Sequence, residues 1–257
     1  MIATLRYEFR MQIRRPALWI VYGIVFAIQG VLINWYFTLD RGLGPILDPR
    51  QAMADVTAWT ATLPMIAYGC LIADRLVRDR TLRVDGILDA TPADATARLL
   101  GKFAGVCLAG AVPLALMVVG RGLVWTVMEG DPGGLLWSIV IFVVALGPGL
   151  LFTGALALVG PLVMPVTVFR VAFAAYWFWG NLIPPDLMPN LAHTLLAADG
   201  EYALLGLFGS TTRVPVEGAL LNFLRPDPTA GTGLLSIALI LLLAGVALPL
   251  ARLRREP

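Results

Sequence analysis

The residues of this chain with chemically reactive side chains are few, and most lie inside long apolar runs. The chain has one histidine, His193, and two cysteines, Cys70 and Cys107. A single histidine excludes a histidine-rich metal centre, and the two cysteines are expected to be packing residues. His193, beside Thr194 in a polar segment, is expected to be a surface residue. With no nucleophile elbow and no paired carboxylates within an apolar run, the sequence predicts that the chain itself is not an enzyme.

The dipeptide Gly101-Lys102 has the form of the end of a phosphate-binding loop. A Walker A motif also needs a glycine five residues before its final glycine, and a serine or threonine after the lysine. The chain has Thr96 and Phe103 at those two positions. No other stretch of the sequence fits the motif, so we expect no nucleotide site on this chain.

The composition is that of a protein that lies in a lipid bilayer. Hydrophobic residues make up 58% of the chain, charged residues 14%, and the mean hydropathy is +0.80. A soluble domain carries about 25% charged residues. Lipid permits only helices or closed barrels, and the apolar runs here are continuous rather than alternating. The sequence therefore predicts an all-α integral membrane protein whose N-terminal segment, too long in its apolar part for a signal peptide, is retained.

The apolar runs predict six transmembrane helices within a single domain over residues 1–257, because a span needs about 20 residues. An N-terminal helix over 1–15, a cytoplasmic segment over 74–101 and a long outer segment over 184–232 complete the architecture. Within the outer segment, Leu191–Ala198 and Glu201–Phe208 are apolar enough to lie in the interface or re-enter the membrane. Gly147-Pro148-Gly149 is expected to kink the fourth span. The predicted spans are 16–37, 56–73, 102–127, 134–159, 165–183 and 234–250.

The distribution of charge predicts the orientation. Lysines and arginines concentrate in 1–15, 74–102 and 251–257, which share one side if there are six spans. The other side is acidic, and six of the seven tryptophans fall near its membrane interface. By the positive-inside rule both termini are cytoplasmic. Basic residues that follow topology do not indicate nucleic-acid binding. The richness in alanine, arginine and glycine indicates a GC-rich bacterial genome, and the predicted location is the bacterial inner membrane.

Two segments on the cytoplasmic side are candidates for function. In the first, Arg6, Arg10 and Arg14 lie opposite an apolar stripe, which predicts an amphipathic helix resting in the interface. The stripe consists of Ile2, Leu5, Phe9 and Ile13. A simple positive anchor is the alternative. In the second, 74–102, charges of both signs alternate, and Thr91-Pro92 is typical of the start of a new helix. Such a mixed-charge helix suits docking on a soluble partner, although charge alone favours a solvated loop.

These two segments resemble those of the permease subunits of ABC-2 type (type V) ABC transporters. An elbow helix of the form R-x-E-F-R … R-x-P-x-x-W precedes the first span in that family, as in Arg6–Arg10 and Arg15–Trp19 here. A cytoplasmic stretch of the form R-[DE]-R … [LI]-L-x-[AS]-x-P … L-L-G-K follows the second span, as in Arg78–Arg80, Ile87–Pro92 and Leu99–Lys102. Val84-Asp85-Gly86 departs from the usual Leu-Glu-Leu run, and its glycine weakens a helix.

The resemblance implies an exporter that works with other polypeptides. The coupling helix would seat on a separate ATP-binding subunit, which would hold ATP and Mg²⁺, and a second permease, identical or related, would complete the membrane part. Spans two and five of that family line the translocation path, and here they are aromatic, which would suit a hydrophobic or amphipathic substrate. A lipid-facing aromatic belt is the alternative for those side chains. The implied coupling residues are Arg80, Thr81, Leu82, Arg83, Val84, Ile87, Leu88 and Asp89, and the path candidates are Trp59, Met65, Tyr68, Phe173, Tyr176 and Trp177.

Other features leave alternatives open. Gly101, Gly105 and Ala109 have the spacing of a close helix contact, either within the subunit or between subunits. Arg121 and Arg170 lie in predicted spans and either serve function or extend to the interface. No acidic residue lies deep in a predicted span, which disfavours an ion-coupled carrier. A non-transporting scaffold or sensor subunit is the alternative to the permease.

Overall fold

A computed structural model of the chain describes residues 1–40, 48–81, 94–212 and 220–253. Within those ranges every regular element is helical, so the predicted all-α class is confirmed. Short irregular helices cover Phe142–Leu146 (a π turn), Gly160–Leu162 and Asn222–Leu224 (both 3₁₀). The α-helices are α1 (Ile2–Ile13), α2 (Pro16–Asp40), α3 (Pro49–Thr60), α4 (Thr62–Ile72), α5 (Arg75–Thr81), α6 (Ala95–Glu129), α7 (Gly133–Ile141), α8 (Gly147–Val159), α9 (Val166–Asn181), α10 (Glu201–Phe208) and α11 (Ala230–Leu253).

Several of these helices are long and apolar enough to cross a membrane. Three qualify alone over Thr96–Glu129, Gly133–Leu162 and Ala230–Pro249. Two further candidates are bent pairs, α1 with α2 at 59° and α3 with α4–α5 at 50°. The described part of the chain therefore holds three to five candidate spans. Helix α9, which matches the predicted fifth span, has only 16 residues, and the count of six stays a prediction.

Helix starts depend on local capping. Asp48 caps α3 by accepting a hydrogen bond from the backbone N–H of Arg50, with Pro49 in the first turn. Asp94 caps α6 by accepting from the N–H groups of Thr96 and Ala97. The predicted cap was Thr91, three residues earlier, which lies outside the described residues. An aspartate that reaches two free N–H groups satisfies more of the helix terminus than a threonine hydroxyl does.

Two of the predicted spans contain an irregularity within their length. The second span, predicted over 56–73, consists of α3 and α4, which meet at Ala61. The fourth span is continuous over Gly133–Leu162, and the expected kink at Gly147-Pro148-Gly149 stays a prediction. A π turn over Phe142–Leu146 lies directly before Pro148. Proline lacks the N–H of the regular helical ladder, and a π turn shifts the ladder there without a break.

The helices run between two ends of a bundle. At the first, named here the α1 end, α1 packs on the first turns of α6, and α5 lies beside the Gly160–Leu162 turn. At the second, the α10 end, the start of α3 meets the start of α7, and α10 packs along α11. The main apolar core fills the space between them and includes Met65, Tyr68, Leu114, Leu146 and Trp177.

Candidate functional site

The N-terminal helix is held against α6 at two glycines. A methyl group built on Gly101 would lie 2.7 Å from the carbonyl oxygen of Met1, and one on Gly105 would lie 2.6 Å from that of Leu5. Only a glycine permits this approach of two backbones. The small-residue spacing of α6 is thus a contact within the subunit, which decides between the two alternatives left by the sequence.

The most buried side chains of α1 are polar, which the stripe pattern did not predict. Glu8 and Gln12 are buried, whereas the predicted stripe residue Ile2 is 76% exposed and Phe9 is half-buried. Arg6, Arg10 and Arg14 are exposed, as expected for an interfacial helix. The sequence feature that could have predicted this burial is Glu8, the one acidic residue among the arginines of residues 1–15.

Buried and half-buried charges connect α1 to the helices on either side of the proposed coupling segment. Glu8 Oε1 lies 3.9 Å from Lys102 Nζ, with both side chains largely buried. Arg15 lies 3.8 Å from Asp74. Arg75, only 5% exposed, points one guanidinium nitrogen at the sulfur of Met11 at 3.8 Å. These contacts tie α1 to both α6 and the start of α5.

An apolar contact also joins the two helices that flank residues 82–93. Leu76 on α5, Leu99 on α6 and Leu158 on α8 form a buried cluster. Of the predicted coupling residues, Arg80 and Thr81 lie in the last turn of α5. The remaining six, Leu82, Arg83, Val84, Ile87, Leu88 and Asp89, lie outside the described residues.

Five of the six candidate path residues come together between α4 and α9. Met65, Tyr68, Phe173 and Trp177 are buried in one core cluster with Tyr176 packed against it. The sixth, Trp59 on α3, is 53% exposed. The aromatic rings of α9 are stacked along the helix, with centroids 5.7 Å apart for Phe169 and Phe173 and 5.6 Å apart for Phe173 and Trp177. A path along these side chains requires α4 and α9 to separate, and the assignment stays a prediction.

The two arginines in predicted spans have different surroundings. The Nε–H of Arg170 donates to the carbonyl of Cys70 at 2.9 Å, so this exposed side chain links α9 to α4. Arg121 on α6 is half-buried. The Cys70 thiol in turn lies 3.8 Å from the carbonyl of Arg170. Each of the two helices thus contacts a backbone carbonyl of the other through a side chain.

The segment between α9 and α11 folds into the bundle from the α10 end. The carbonyl of Ala198 contacts Gly149, and a methyl group built on Gly200 would lie 2.5 Å from the carbonyl oxygen of Ala145. Ala145 and Gly149 lie near the middle of the Gly133–Leu162 candidate span. From Gly200, which has a left-handed φ of +85°, α10 runs back toward the α10 end.

Hydrogen bonds hold this inserted segment at its base and at the end of α10. The guanidinium of Arg225 donates to the carbonyls of Asn190, Ala192 and Leu220 at 2.7 to 3.2 Å. At the end of α10, Asp55 accepts from the hydroxyl of Ser210 and from the N–H and hydroxyl of Thr211 at 2.7 to 2.8 Å. The segment is thus fixed to α3.

His193 is the residue of this region that the sequence misplaced. It was expected at the surface, but its side chain is only 24% exposed and its Nδ1 lies 2.7 Å from Oε1 of Glu201. Asp199 accepts a hydrogen bond from the N–H of Glu201. The Glu201 carboxylate raises the pKa of His193 above its usual value, with Asp199 adding to that effect. No local sequence signal pairs these residues, because the turn at Gly200 brings them together.

Comparison with known proteins gives no relative for this arrangement. No protein-family model, curated protein or solved structure matches the chain.

Proposed function

We propose that the chain is the membrane-spanning permease subunit of an ATP-driven ABC exporter of the ABC-2 type. The proposal rests on the resemblance of the α1 segment and of residues 78–102 to that family. Its main structural support is the way α1, α5 and α6 are joined at the α1 end, through the glycine contact and the Glu8–Lys102 and Arg15–Asp74 pairs.

This junction suits the transfer of force from a soluble partner. Residues 82–93 connect α5 to α6, and both helices are packed on α8 through Leu76, Leu99 and Leu158. A push on either of these two helices is passed into the bundle, because close-packed interiors transmit strain. In this proposal the separate ATP-binding subunit holds ATP and Mg²⁺ and docks on that segment.

The remaining parts of the proposal follow from the same assignment. Two permease subunits, identical or related, pair in a bacterial inner membrane with their termini in the cytoplasm, across six spans each. Closure of the ATP-binding subunits rocks the helices and moves a hydrophobic or amphipathic substrate outward between α4 and α9. The aromatic composition of that contact is what supports the substrate class.

Affinity purification of the tagged chain from its native membrane in mild detergent tests the proposal. We expect a stoichiometric partner that carries a Walker A motif, detected by mass spectrometry. Cross-linking from cysteines placed at Arg80 and Asp89 should capture the same partner, whereas a cysteine placed at Val127, near the opposite end of α6, should not. Absence of an ATP-binding partner in both arms would favour the scaffold or sensor alternative.

A further inference from the structure

We propose that His193 and Glu201, with Asp199 beside them, form a proton-binding site that holds the inserted segment between α9 and α11 in place. The site lies within one chain, so the inference does not depend on the transport proposal. In it, a proton on His193 makes a charged hydrogen bond to Glu201, and loss of that proton releases the segment.

The position of the site carries the first step of the argument. His193 lies on the limb of the inserted segment that enters the bundle. Glu201 is the first residue of α10, the limb that runs back out of the bundle. The 2.7 Å contact between them therefore spans the two limbs of the hairpin-like insertion. Asp199 lies at the turn between the limbs, where it accepts the N–H of Glu201 at 3.2 Å. The two limbs therefore contact each other through ionisable side chains.

The backbone carries the second step. His193 has a left-handed φ of +58°, an uncommon conformation for a residue with a side chain. Such conformations persist only where the surroundings impose them. The contact to Glu201 and the hydrogen bonds from Arg225 to the neighbouring carbonyl of Ala192 impose it here. Weakening the contact to Glu201 removes one of those constraints.

The charged surroundings carry the third step. Glu201 and Asp199 face His193 and favour the imidazolium, whereas Arg225 opposes it; Tyr202, the other titratable group here, is hydrogen-bonded to Pro226 through its hydroxyl. The helices against which the segment packs carry no ionisable residue over Gly133–Val159 or Ala230–Pro249. At its far end Asp55 on α3 is occupied by Ser210 and Thr211. The balance of these groups favours the protonated form.

The direction of the pH effect follows from that balance. Because the pKa of His193 is raised in the folded chain, its stabilising contribution is fully present below the unfolded value of about 6.5. That contribution is lost as the pH rises through the folded pKa. The segment is therefore held most firmly at acidic pH and loosens as the pH rises.

The sequence offers a direct measurement, since His193 is the chain's one histidine. The full chain, carrying a tag without histidine, is labelled with ¹³C,¹⁵N-histidine, placed in lipid nanodiscs and titrated by NMR between pH 5 and 9. We expect one imidazole signal that titrates above 6.5. Glu201→Gln should lower that pKa by about 1 pH unit or more. Asp186→Asn, at an exposed acid of the same segment, should leave it unchanged.

Hydrogen exchange over 190–208, corrected for the intrinsic effect of pH, tests the release. The wild type should lose protection as the pH passes the His193 titration. Burial and the neighbouring Glu201 also raise the pKa of Asp199, to about 7. His193→Asn, which tolerates the left-handed backbone, should therefore fold yet show a smaller step, and His193→Asn combined with Asp199→Asn should show none. A His193 pKa at or below 6.5 in the wild type, or one that Glu201→Gln leaves unchanged, would overturn the site. Wild-type protection that does not change with pH would overturn the release.

Discussion

The ring of Phe173 on α9 fills the space beside Gly69 on α4 in which any larger residue would place its Cβ. Phe173 is itself fixed, since it is 2% exposed, stacked on Phe169 and in tilted contact with Trp177. This contact between α4 and α9 thus depends on the absence of a side chain at Gly69.

Gly69→Ala should destabilise the chain, because an added methyl group in a packed core costs about 1–3 kcal/mol. The measurement is the midpoint of thermal unfolding in detergent, followed by circular dichroism. Gly23→Ala on α2 is the matched control, since no atom lies within 4 Å of its Cβ position. The control should be neutral or gain about 0.5–1 kcal/mol from helix propensity. Equal midpoints for the two variants would show that α4 and α9 are not in this contact.

Gly105→Leu should lift α1 from α6, because the new side chain meets the backbone of Leu5 rather than a movable side chain. Limited trypsin digestion of the chain in nanodiscs measures this directly, since Arg6 and Arg10 lie on α1. We expect faster cleavage after both arginines than in the wild type. Gly120→Leu, farther along the same helix with no atom within 4 Å of its Cβ position, should leave the cleavage rate unchanged. An unchanged rate in both variants would contradict the docking of α1.

Asp55→Ala should free the end of α10, because three hydrogen bonds to Ser210 and Thr211 are lost together. Bonds to a charged acceptor contribute about 1.5–3 kcal/mol each in favourable cases, so local opening should become much more frequent. Hydrogen exchange over residues 209–212 is the measurement. Asp186→Ala, an exposed acid between α9 and α10, is the control and should not change exchange there. If Asp55→Ala exchanged at the wild-type rate, the segment would not depend on α3.

Charge reversal at Arg80 and Arg83 tests the proposed coupling helix. The double variant should enter the membrane normally but retain at least tenfold less of the ATP-binding subunit, since like charges brought together at an interface cost more than the about 1.4 kcal/mol that a tenfold change requires. In this variant, ATP hydrolysis should be uncoupled from transport. Purification of both variants in parallel measures retention, with reversal of Arg252 and Arg254 in the C-terminal segment as the control. Wild-type retention and wild-type transport in the Arg80/Arg83 variant would remove the coupling assignment.

Much of the fold was predictable from local patterns. Continuous apolar runs predicted that long helices cover α2, α6 and α11, because in lipid a run of apolar residues has few alternatives to a helix. Helix α6 begins at Ala95, before the predicted start of its span at residue 102. Capping was less reliable: α6 begins after Asp94 rather than Thr91. The sequence did not predict the break at Ala61 or the π turn before Pro148, since each depends on how the helix packs against its neighbours.

The sequence by itself determined the all-helical class, the membrane character and an N-terminal helix with exposed arginines, because composition and periodicity act over a few turns of chain. Tertiary structure alone decided which partners meet. Glu8 finds Lys102, the small-residue stripe of α6 receives α1, and His193 meets Glu201 across a turn that lies beside Ala145. Each of these contacts joins residues whose separation is set by how helices pack and where a chain reverses, and no local pattern records either.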